Sequence, residues 1–359
     1  MTRVFLNRIG TAVPDHDIHL EFVAVARAAM TDPHEQALFD RMVVMSEIEH
    51  RYSALQPAPL PRTESLDVQG LYRLDGYPAT GERMAMYEQQ ALALACRAID
   101  RLGIAAERET ITHLVVASCT GFSAPGLDFQ IMQAVGLRES VERTIVGFMG
   151  CFAAASALKL ARHLVRSEPE ARVLVVNLEL STLHMQDQWQ IEKALSFLLW
   201  GDGCGACLVS ADPVGLELGS FRSFVIPRTE GFITWNIRDQ GFDMHLSGKV
   251  PGRIRRWLME HGPVLLGHET EAAEDVWAVH AGGRSILDAV QHGLGLAPDA
   301  LRNSREVLRR FGNMSSATLV FILDRIMREV SSVAGNGIAV AFGPGLTVES
   351  FRFRRPARA

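Results

Sequence analysis

The stretch TIVGFMGCFAAASALKLARHLV (residues 144–165) combines the two kinds of secondary structure from which the fold is built. An apolar, strand-like run stops at Gly150, and an alanine-rich helical pattern begins directly after Cys151. A helix that is apolar all round is a buried helix. The N-terminus of a helix carries free N–H groups and a partial positive charge, which favour a thiolate over a thiol. Cys151 is therefore a candidate nucleophile, although a buried structural cysteine is the other interpretation, since free Cys is among the most buried residue types.

Strand-like and helical segments alternate along most of the chain. Short β-branched runs predict buried strands at residues 112–118, 171–180, 204–210, 275–281 and 337–343. Helical periodicity predicts helices at residues 86–103, 152–167, 285–296 and 316–333. This alternation predicts an α/β fold whose strands are covered on both faces. The order of elements around 112–180 is repeated around 275–343, so we expect a seam between two halves at residues 211–220.

Composition excludes several classes of function. The chain has 359 residues, of which 48% are apolar and 21% charged, as in a globular protein with a sizeable core. Its net charge of -5 gives no electrostatic signature for binding nucleic acid or an anionic membrane surface. The five cysteines lack the spacing of a disulfide framework, which indicates a reducing compartment. Without a signal-peptide pattern or an apolar run of membrane-spanning length, we expect a cytoplasmic protein.

A nucleophilic thiol needs a base or hydrogen-bond partner, and often a group that orients the reacting carbonyl. His280 ends the apolar run VWAV just before a Gly-Gly turn, at the carboxyl end of a predicted strand, where ligand sites of α/β sheets lie. Asn313 directly precedes another apolar helix. Each has an ordinary alternative, a strand-end histidine with satisfied hydrogen bonds and a helix N-cap. Their joint occurrence with Cys151 favours a catalytic group.

Several motifs in this order resemble those of type III polyketide synthases, the chalcone synthase-like branch of the thiolase superfamily. These motifs are GCFAAASALKLA (150–161), VHAGGRSILDAV (279–290), SREVLRRFGNMSSATLVFILD (304–324) and AFGPGLTVES (341–350). The resemblance covers nearly the whole chain and is weakest near the N-terminus. It implies a thiolase-like αβαβα layered fold of two similar halves and a homodimer. Residues 1–213 would carry the nucleophilic cysteine, and residues 214–359 the histidine and asparagine.

The resemblance also implies a catalytic triad of Cys151, His280 and Asn313. In the family, the cysteine thiolate takes an acyl starter from its thioester, and His and Asn hold the thioester carbonyl of malonyl-CoA while it loses CO2. The resulting carbanion attacks the bound acyl group, and after a few rounds the chain cyclises to a pyrone, resorcinol or phloroglucinol-type ring. We expect a low pKa for Cys151, from the helix N-terminus and a nearby imidazolium. No cofactor besides the CoA thioester substrates is expected, and no metal site.

Substrate-contacting positions follow from the same motifs. The resemblance implies the following set: Cys119, Thr120, His184, Trp200, Met244, Ser315, Phe342, Gly343 and Pro344. Trp200 and Met244 stand where the family has two gatekeepers, usually Phe, so we expect a reshaped aperture. His184 is unusual at its position, and we expect it to narrow the cavity or to hydrogen-bond a polyketide oxygen. Ala124 stands at the position that reaches into the partner's pocket across the dimer.

The carrier of the starter remains open. Of the cations that bind CoA in the family, only Arg41 remains, while Leu38 and Met45 occupy the other positions. The starter therefore arrives either on an acyl carrier protein or as acyl-CoA held by other basic residues, namely Arg51, Lys249, Arg253, Arg255 and Arg256. We expect an aliphatic acyl starter. A malonyl starter is the alternative, because Cys119 stands where plant members usually have Thr.

Two other functions compete with iterative synthesis. One is a ketoacyl synthase III-like enzyme that performs a single condensation, and the other is a non-catalytic homologue that binds acyl chains or a partner. The sequences HAGG and GNMSSAT favour the polyketide branch over the first. The presence of Cys, His and Asn at all three triad positions argues against the second.

Overall fold

The computed structural model describes residues 2–266, 276–329 and 335–355. Its strands are β1 (Phe5–Ala12), β2 (His16–Asp17), β3 (Tyr52–Ser53), β4 (His113–Ser118), β5 (Glu142–Gly147), β6 (Val173–Leu180), β7 (Asp202–Ser210), β8 (Leu216–Val225), β9 (Ile233–Arg238), β10 (Gly241–Leu246), β11 (Val276–Val279), β12 (Gly335–Gly343) and β13 (Thr347–Arg355). Its helices are α1 (His19–Ala29), α2 (Pro33–Ser46), α3 (Thr80–Leu102), α4 (Leu127–Val135), α5 (Ala153–Ser167), α6 (Ile191–Leu199), α7 (Val250–Leu266), α8 (Arg284–Leu294), α9 (Arg302–Phe311) and α10 (Ser316–Arg328).

Nine of these strands form one sheet, in the order β11-β12-β13-β8-β1-β7-β6-β4-β5. In one half of the sheet, β4 and β6 are parallel, and β7 runs antiparallel to both β6 and β1. In the other half, β11 and β12 are parallel, and β13 runs antiparallel to both β12 and β8. The same four-strand pattern therefore occurs twice, and the two copies meet where β1 pairs with β8. The α/β fold predicted from the alternating pattern is confirmed.

The helices α5 and α10 form the centre of the molecule. Each contacts strands of both halves of the sheet, and the two helices contact each other. Ala153, Ala154, Ala155 and Ala157 of α5 are fully buried, and their small side chains let the backbone approach its neighbours closely. In α10, every residue from Ser316 to Asp324 is buried. The alanine-rich pattern after Cys151 is thus a buried helix, as its lack of polarity predicts.

The remaining long helices cover the outside of the two half-sheets. α3 packs on β1, β6 and β7, and α4 packs on β4 and β5. On the other side, α7 packs on β8 through the rings of Trp257 and Phe224, and α8 packs on α7. The central helices therefore lie between the two half-sheets, and the outer helices cover the other face of each half-sheet.

The predicted seam at residues 211–220 covers the loop after β7 and the first residues of β8. The loop between the halves ends at Gly215, because β8 begins at Leu216 and immediately pairs with β1. The two half-sheets therefore share one continuous ladder of backbone hydrogen bonds. Residue 275 and residues 330–333, at the ends of a predicted strand and a predicted helix, lie outside the described residues.

Candidate active site

The N-termini of the two central helices meet at one place. Cys151 lies in the short 3-10 turn Gly150–Phe152 that leads into α5, and Asn313 and Ser315 directly precede α10. His280 directly follows β11. Cys151, Asn313 and Ser315 line one cavity, and the side chains of Ser315 and Asn313 act to lower the pKa of Cys151. The structure thus brings the predicted nucleophile and the predicted asparagine together.

Asn313 is fixed by its backbone and by its side chain. Its N–H donates to the carbonyl of Leu199 at 2.7 Å, and its carbonyl accepts from the N–H of Gly201 at 3.0 Å. Its Oδ1 accepts from the N–H of Ser315 at 2.9 Å; the N-cap of α10 is Ser315, so Asn313 does not cap this helix. Its Nδ2 donates to the carbonyl of Gly282 at 3.4 Å. These bonds direct the amide N–H groups towards the histidine loop.

His280 is buried, with only 1% of its surface exposed. Its backbone N–H donates to the carbonyl of Val340 at 2.8 Å, while neither ring nitrogen has a hydrogen-bond partner in the described part of the chain. Gly282 lies between this ring and Asn313: a Cβ atom on Gly282 would be 3.6 Å from His280 Nε2. Buried polar atoms are nearly always paired. Both ring nitrogens of His280 are therefore free to bond a group that is not part of the described residues.

A cavity of about 40 Å³ opens onto the half-buried Cys151. It is lined by Cys119, Thr120, Gly150, Cys151, Ser181, Trp200, Ile233, Trp235, Met244, Asn313, Ser315 and Pro344. The structure therefore places six of the nine residues predicted to contact substrate on its wall, together with two members of the triad. His280 is not among the residues that line this cavity.

Trp235 is the largest lining residue that sequence reasoning missed. It lies on β9 directly opposite Met244 of β10, and its indole N–H donates to the carbonyl of Cys119 at 2.8 Å. Residues that face each other across two antiparallel strands point to the same side of the sheet. Once Met244 is identified, hairpin register would have given Trp235 as well. Ser181, Ile233 and Gly150 were also missed.

The structure does not place His184, a predicted substrate contact, on the wall of this cavity. Its Nδ1 accepts from the N–H of Phe242 at 3.0 Å, so Nε2 carries the hydrogen and donates to the carbonyl of Thr120 at 2.8 Å. Its ring stacks on that of Phe242, with 4.1 Å between centroids. Burial lowers the pKa of His184 to about 3, so the ring is neutral. With both nitrogens bonded to backbone, His184 fastens the β10 strand to the loop after β4 and has no group left for a polyketide.

Phe342 and Gly343 also lie outside the cavity wall. Phe342 belongs to the apolar core, and a Cβ atom on Gly343 would be 2.6 Å from the ring of Phe152. Gly343 therefore packs closely against Phe152 of the cysteine turn, and a side chain at position 343 would displace that ring.

Glu179, which sequence reasoning missed, connects the parts of this site. It is fully buried at the end of β6. One carboxylate oxygen accepts from the N–H of Cys119 at 2.9 Å and from the hydroxyl of Thr120 at 3.0 Å, and the other accepts from the hydroxyl of Ser316 at 2.6 Å. Burial raises the pKa of Glu179 to about 7. The carboxyl group thereby ties the loop after β4 to the first turn of α10.

A larger cavity of about 550 Å³ reaches the His280 loop at Gly282 and Gly283. Its apolar lining comes from α2, α6 and β10, and includes Met42, Met45, Leu195, Leu199 and Leu246. Its charged lining consists of Glu192, Arg284 and Asp288. A long, mostly apolar channel with a charged rim suits an extended thioester carrier arm.

The basic residues that the sequence suggested as CoA ligands do not line the larger cavity, and they differ in their exposure and position. Arg41 is exposed on α2 and does not line the larger cavity. Arg51 is buried and donates to the carbonyls of Phe197 and Trp200, which excludes it as a phosphate ligand. Lys249, Arg253, Arg255 and Arg256 lie at the start of α7, beside two lining residues of the cavity, Val250 and Pro251.

Sequence models of one family match the chain along almost its full length. The N-terminal domain of chalcone and stilbene synthases matches residues 2–213, and the C-terminal domain matches residues 217–355. The chain belongs to the chalcone and stilbene synthase family. It is a type III polyketide synthase, an acyltransferase that condenses malonyl-CoA iteratively, and the single-condensation alternative is not favoured.

Known relatives agree with this assignment. Bisdemethoxycurcumin synthase of Oryza sativa subsp. japonica is 33% identical, over 95% of this chain and 90% of the relative. The crystal structure of PKS-I from the brown alga Ectocarpus siliculosus is 27% identical, with a TM-score of 0.88 over 99% of both chains. A type III pentaketide synthase from Neurospora crassa shares the fold, with 23% identity and a TM-score of 0.85 over 98% of this chain and 100% of the other. The thiolase-like fold implied by the motifs is confirmed.

Two features of the synthase bear on metals and membranes. Among the described residues, no three His, Cys, Asp or Glu side chains are grouped so that they could hold a metal ion. In the same part of the chain, no helix is both long and apolar enough to cross a bilayer.

The pKa of Cys151 is shifted against the direction expected from its sequence context. Burial raises the pKa of Cys151 to about 11; the Glu179 carboxylate adds to this, while Ser315 and Asn313 oppose it. Burial also lowers the pKa of His280 to about 4. Loss of solvation thus opposes the charged form of both groups, and for Cys151 it outweighs the effect of the helix N-terminus.

This electrostatic state predicts how Cys151 reacts with iodoacetamide. Because only the thiolate reacts, and its fraction rises about tenfold per pH unit below the pKa, the alkylation rate should rise about tenfold per unit from pH 7 to 10. Mass spectrometry of the Cys151 peptide measures this rate, with N-acetylcysteine as the reference for an unperturbed thiol. A rate that is already constant between pH 6 and pH 8 would show a preformed thiolate and contradict the prediction.

Proposed function

We propose that Cys151 carries the acyl chain and that His280 and Asn313 activate malonyl-CoA by decarboxylation. The observation that carries this proposal is the buried His280 ring, which has no hydrogen-bond partner among the described residues. The Asn313 amide bonds the carbonyl of Gly282 in the loop after His280, and it lines the same cavity as Cys151. A neutral imidazole can accept a thiol proton, and it can also donate an N–H to a developing oxyanion. These are the two abilities that the reaction requires.

Loading of the starter uses the first ability. His280 accepts the Cys151 proton while the sulfur attacks the thioester carbonyl of the starter. The carbon–sulfur bond of the incoming thioester breaks, and the carrier leaves as a thiol after taking up the proton. The starter is then held as a thioester on Cys151.

Extension uses the second ability. Malonyl-CoA loses CO2, and the electron pair of the broken bond becomes an enolate on the thioester. N–H groups of His280 and Asn313 are the donors to its oxygen, and removing one such donor typically costs about 10²–10³-fold in rate. The enolate carbon attacks the Cys151 thioester and the cysteine sulfur leaves, so the longer chain is now a thioester of CoA. The Cys151 sulfur then attacks this thioester, its C–S bond breaks, and CoA leaves as the thiol before the next round. Loss of CO2 drives the step, so we propose no metal or redox cofactor.

We propose that CoA thioesters enter through the larger cavity, with the pantetheine arm along its apolar wall. The basic start of α7 is the best-placed cluster for the CoA phosphates, since Lys249, Arg255 and Arg256 are exposed beside the cavity. The same surface would equally serve an acidic carrier protein bearing a starter.

We also propose that the protein forms a homodimer, and that each chain consists of two halves, residues 1–213 and 214–359. The repeated strand pattern and the limits of the two matching family domains support the division. β5 lies at the edge of the sheet and has an exposed face. Three exposed apolar residues lie on this strand or near it in the sequence, namely Phe122, Ile145 and Met149. Exposed edges and apolar patches of this kind are usually covered by a partner. Ala124 is exposed on the same side of the molecule.

Acylation of Cys151 tests the proposed nucleophile. Intact-protein mass spectrometry after incubation with acyl-CoA substrates should show an acyl adduct on the wild type and on Cys96→Ala, a control thiol on α3. Cys151→Ala should show no adduct and no polyketide. Continued synthesis by Cys151→Ala would refute the assignment.

Trp200 sets the size of the starter. Besides the catalytic cavity, it lines a second cavity of about 90 Å³ whose wall includes Phe22, Val25, Leu55 and Leu66. Its neighbour Trp235 is held by a hydrogen bond, whereas no hydrogen bond of the Trp200 indole is found among the described residues. We propose a short aliphatic starter whose length is limited by this indole.

Replacement of Trp200 should therefore lengthen the accepted starter. In competition between acyl-CoA substrates of increasing length, Trp200→Ala should shift the preferred chain by several carbons, because it joins the two cavities. Met244→Ala is the matched control, since Met244 lines only the catalytic cavity and the 90 Å³ cavity stays closed. Equal shifts in the two variants would contradict a role for the second cavity.

A further inference from the structure

Trp235, on the wall of the catalytic cavity, is held from several sides. Its indole N–H donates to the carbonyl of Cys119 at 2.8 Å. Its ring is nearly perpendicular to the rings of His184, Phe242 and Trp200, at 84°, 85° and 90°, with centroids 5.3, 5.8 and 5.5 Å away. Aromatic rings attract each other in this edge-to-face arrangement at centroid distances of about 4.5–7 Å. The indole is therefore a fixed part of the wall.

The catalytic cavity is small for a growing polyketide. It measures about 40 Å³, whereas the cavity that reaches the His280 loop measures about 550 Å³. Each round of condensation lengthens the chain held on Cys151 by a CH2 and a C=O group. The chain therefore meets the wall after few rounds, and Trp235 cannot turn aside without losing its hydrogen bond and its ring contacts.

A row of aromatic rings, Phe122, Phe148 and Phe242, runs from the protein surface to Trp235. Phe242 is buried and contacts both Trp235 and Phe148, with 5.5 Å between the ring centroids of Phe148 and Phe242. Phe148 in turn contacts Phe122 at 5.3 Å, and Phe122 is 37% exposed. Phe148 itself does not line the catalytic cavity. Its ring contacts therefore reach the cavity wall through Phe242.

Phe148 has a backbone conformation that a bulky residue rarely adopts. Its φ is 55°, three positions before Cys151. Positive φ is uncommon for residues other than glycine, and a bulky residue in this region is a genuine outlier. Such strain persists only where the surrounding structure over-determines it, and it is concentrated at functional sites. The ring contacts of Phe148 supply that packing, so the strained turn before the cysteine and the cavity wall belong to one packed unit.

We propose that Trp235 limits the number of extensions, and that Phe148 is a positioning residue that holds Trp235 against the cavity through Phe242. This inference rests on the proposed iterative reaction at Cys151. The wild type should stop at the shortest chain that can close to a pyrone. In that closure an enol oxygen of the chain attacks the thioester carbonyl, the carbon–sulfur bond breaks, and the thiol leaves with the enol proton.

The products made from malonyl-CoA and one fixed acyl-CoA starter test the wall, with mass spectrometry counting the malonyl units in each product. Trp235→Ala should make products that are longer by at least one unit, because the indole no longer blocks the chain. Trp235→Phe keeps a ring but loses the hydrogen bond to Cys119, so it should give a mixture of the wild-type product and longer ones. Unchanged product length in both variants would overturn the inference.

Two substitutions of Phe148 separate its ring from its backbone, because both keep a Cβ atom at positive φ. Phe148→Ala should raise the ratio of longer to wild-type product by about 2–10-fold, the value of one aromatic contact. Phe148→Tyr retains the ring and should keep the wild-type ratio. Phe221→Ala is the control for general loosening, since it removes a half-buried ring from a different stack, with Phe351.

The outcomes distinguish the positioning role from the function on which it rests. A wild-type ratio in Phe148→Ala would show that Trp235 needs no support from the row, and would overturn the role of Phe148. An equal shift in Phe221→Ala would also overturn it, because any loosened ring would then lengthen the product. A wild-type enzyme that yields no product from any acyl-CoA would instead refute the proposed function, and the inference with it.

Discussion

The packing of two buried helices between two half-sheets is the constraint on which the rest of this structure depends. The first turn of α5 and residues 316–324 of α10 are largely apolar and buried, and the two helices contact each other. Cys151 comes just before one helix, and Asn313 and Ser315 just before the other. The packing of the two helix starts thus brings together residues more than 160 positions apart. Glu179 links the loop after β4 to the start of α10, because it accepts hydrogen bonds from Cys119 and from Ser316.

The same packing determines the charge state of the site. Burial raises the pKa of the Cys151 thiol and of the Glu179 carboxyl group, and it lowers the pKa of the His280 imidazole. Burial thus favours the neutral forms of the thiol and the imidazole, and the ring nitrogens of His280 have no hydrogen-bond partner among the described residues. A preorganised site of this kind interacts most strongly with charge that develops during reaction.

Sequence reasoning identified what local patterns determine and missed what tertiary contacts determine. The strand-to-helix change at Cys151, the strand end at His280 and the helix start at Asn313 are local, and the structure has all three. The pKa of Cys151 depends on burial by distant elements, so the local helix argument gave the wrong direction. His184 occupies a position that the family pattern assigns to the cavity, but its contacts with Thr120 and Phe242 use both ring nitrogens. The positive φ of Phe148 is a backbone property that no residue pattern reports.

The proposed residues divide the work: Cys151 carries the chain, and His280 with Asn313 decarboxylates the extender. Release of acetyl-CoA from malonyl-CoA, measured without any starter, separates the two roles. Cys151→Ala should keep this activity near the wild-type level, because the sulfur takes no part in the step. Asn313→Ala should lose about 10²–10³-fold, the cost of removing one oxyanion donor. Equal loss of decarboxylation in both variants would contradict the division.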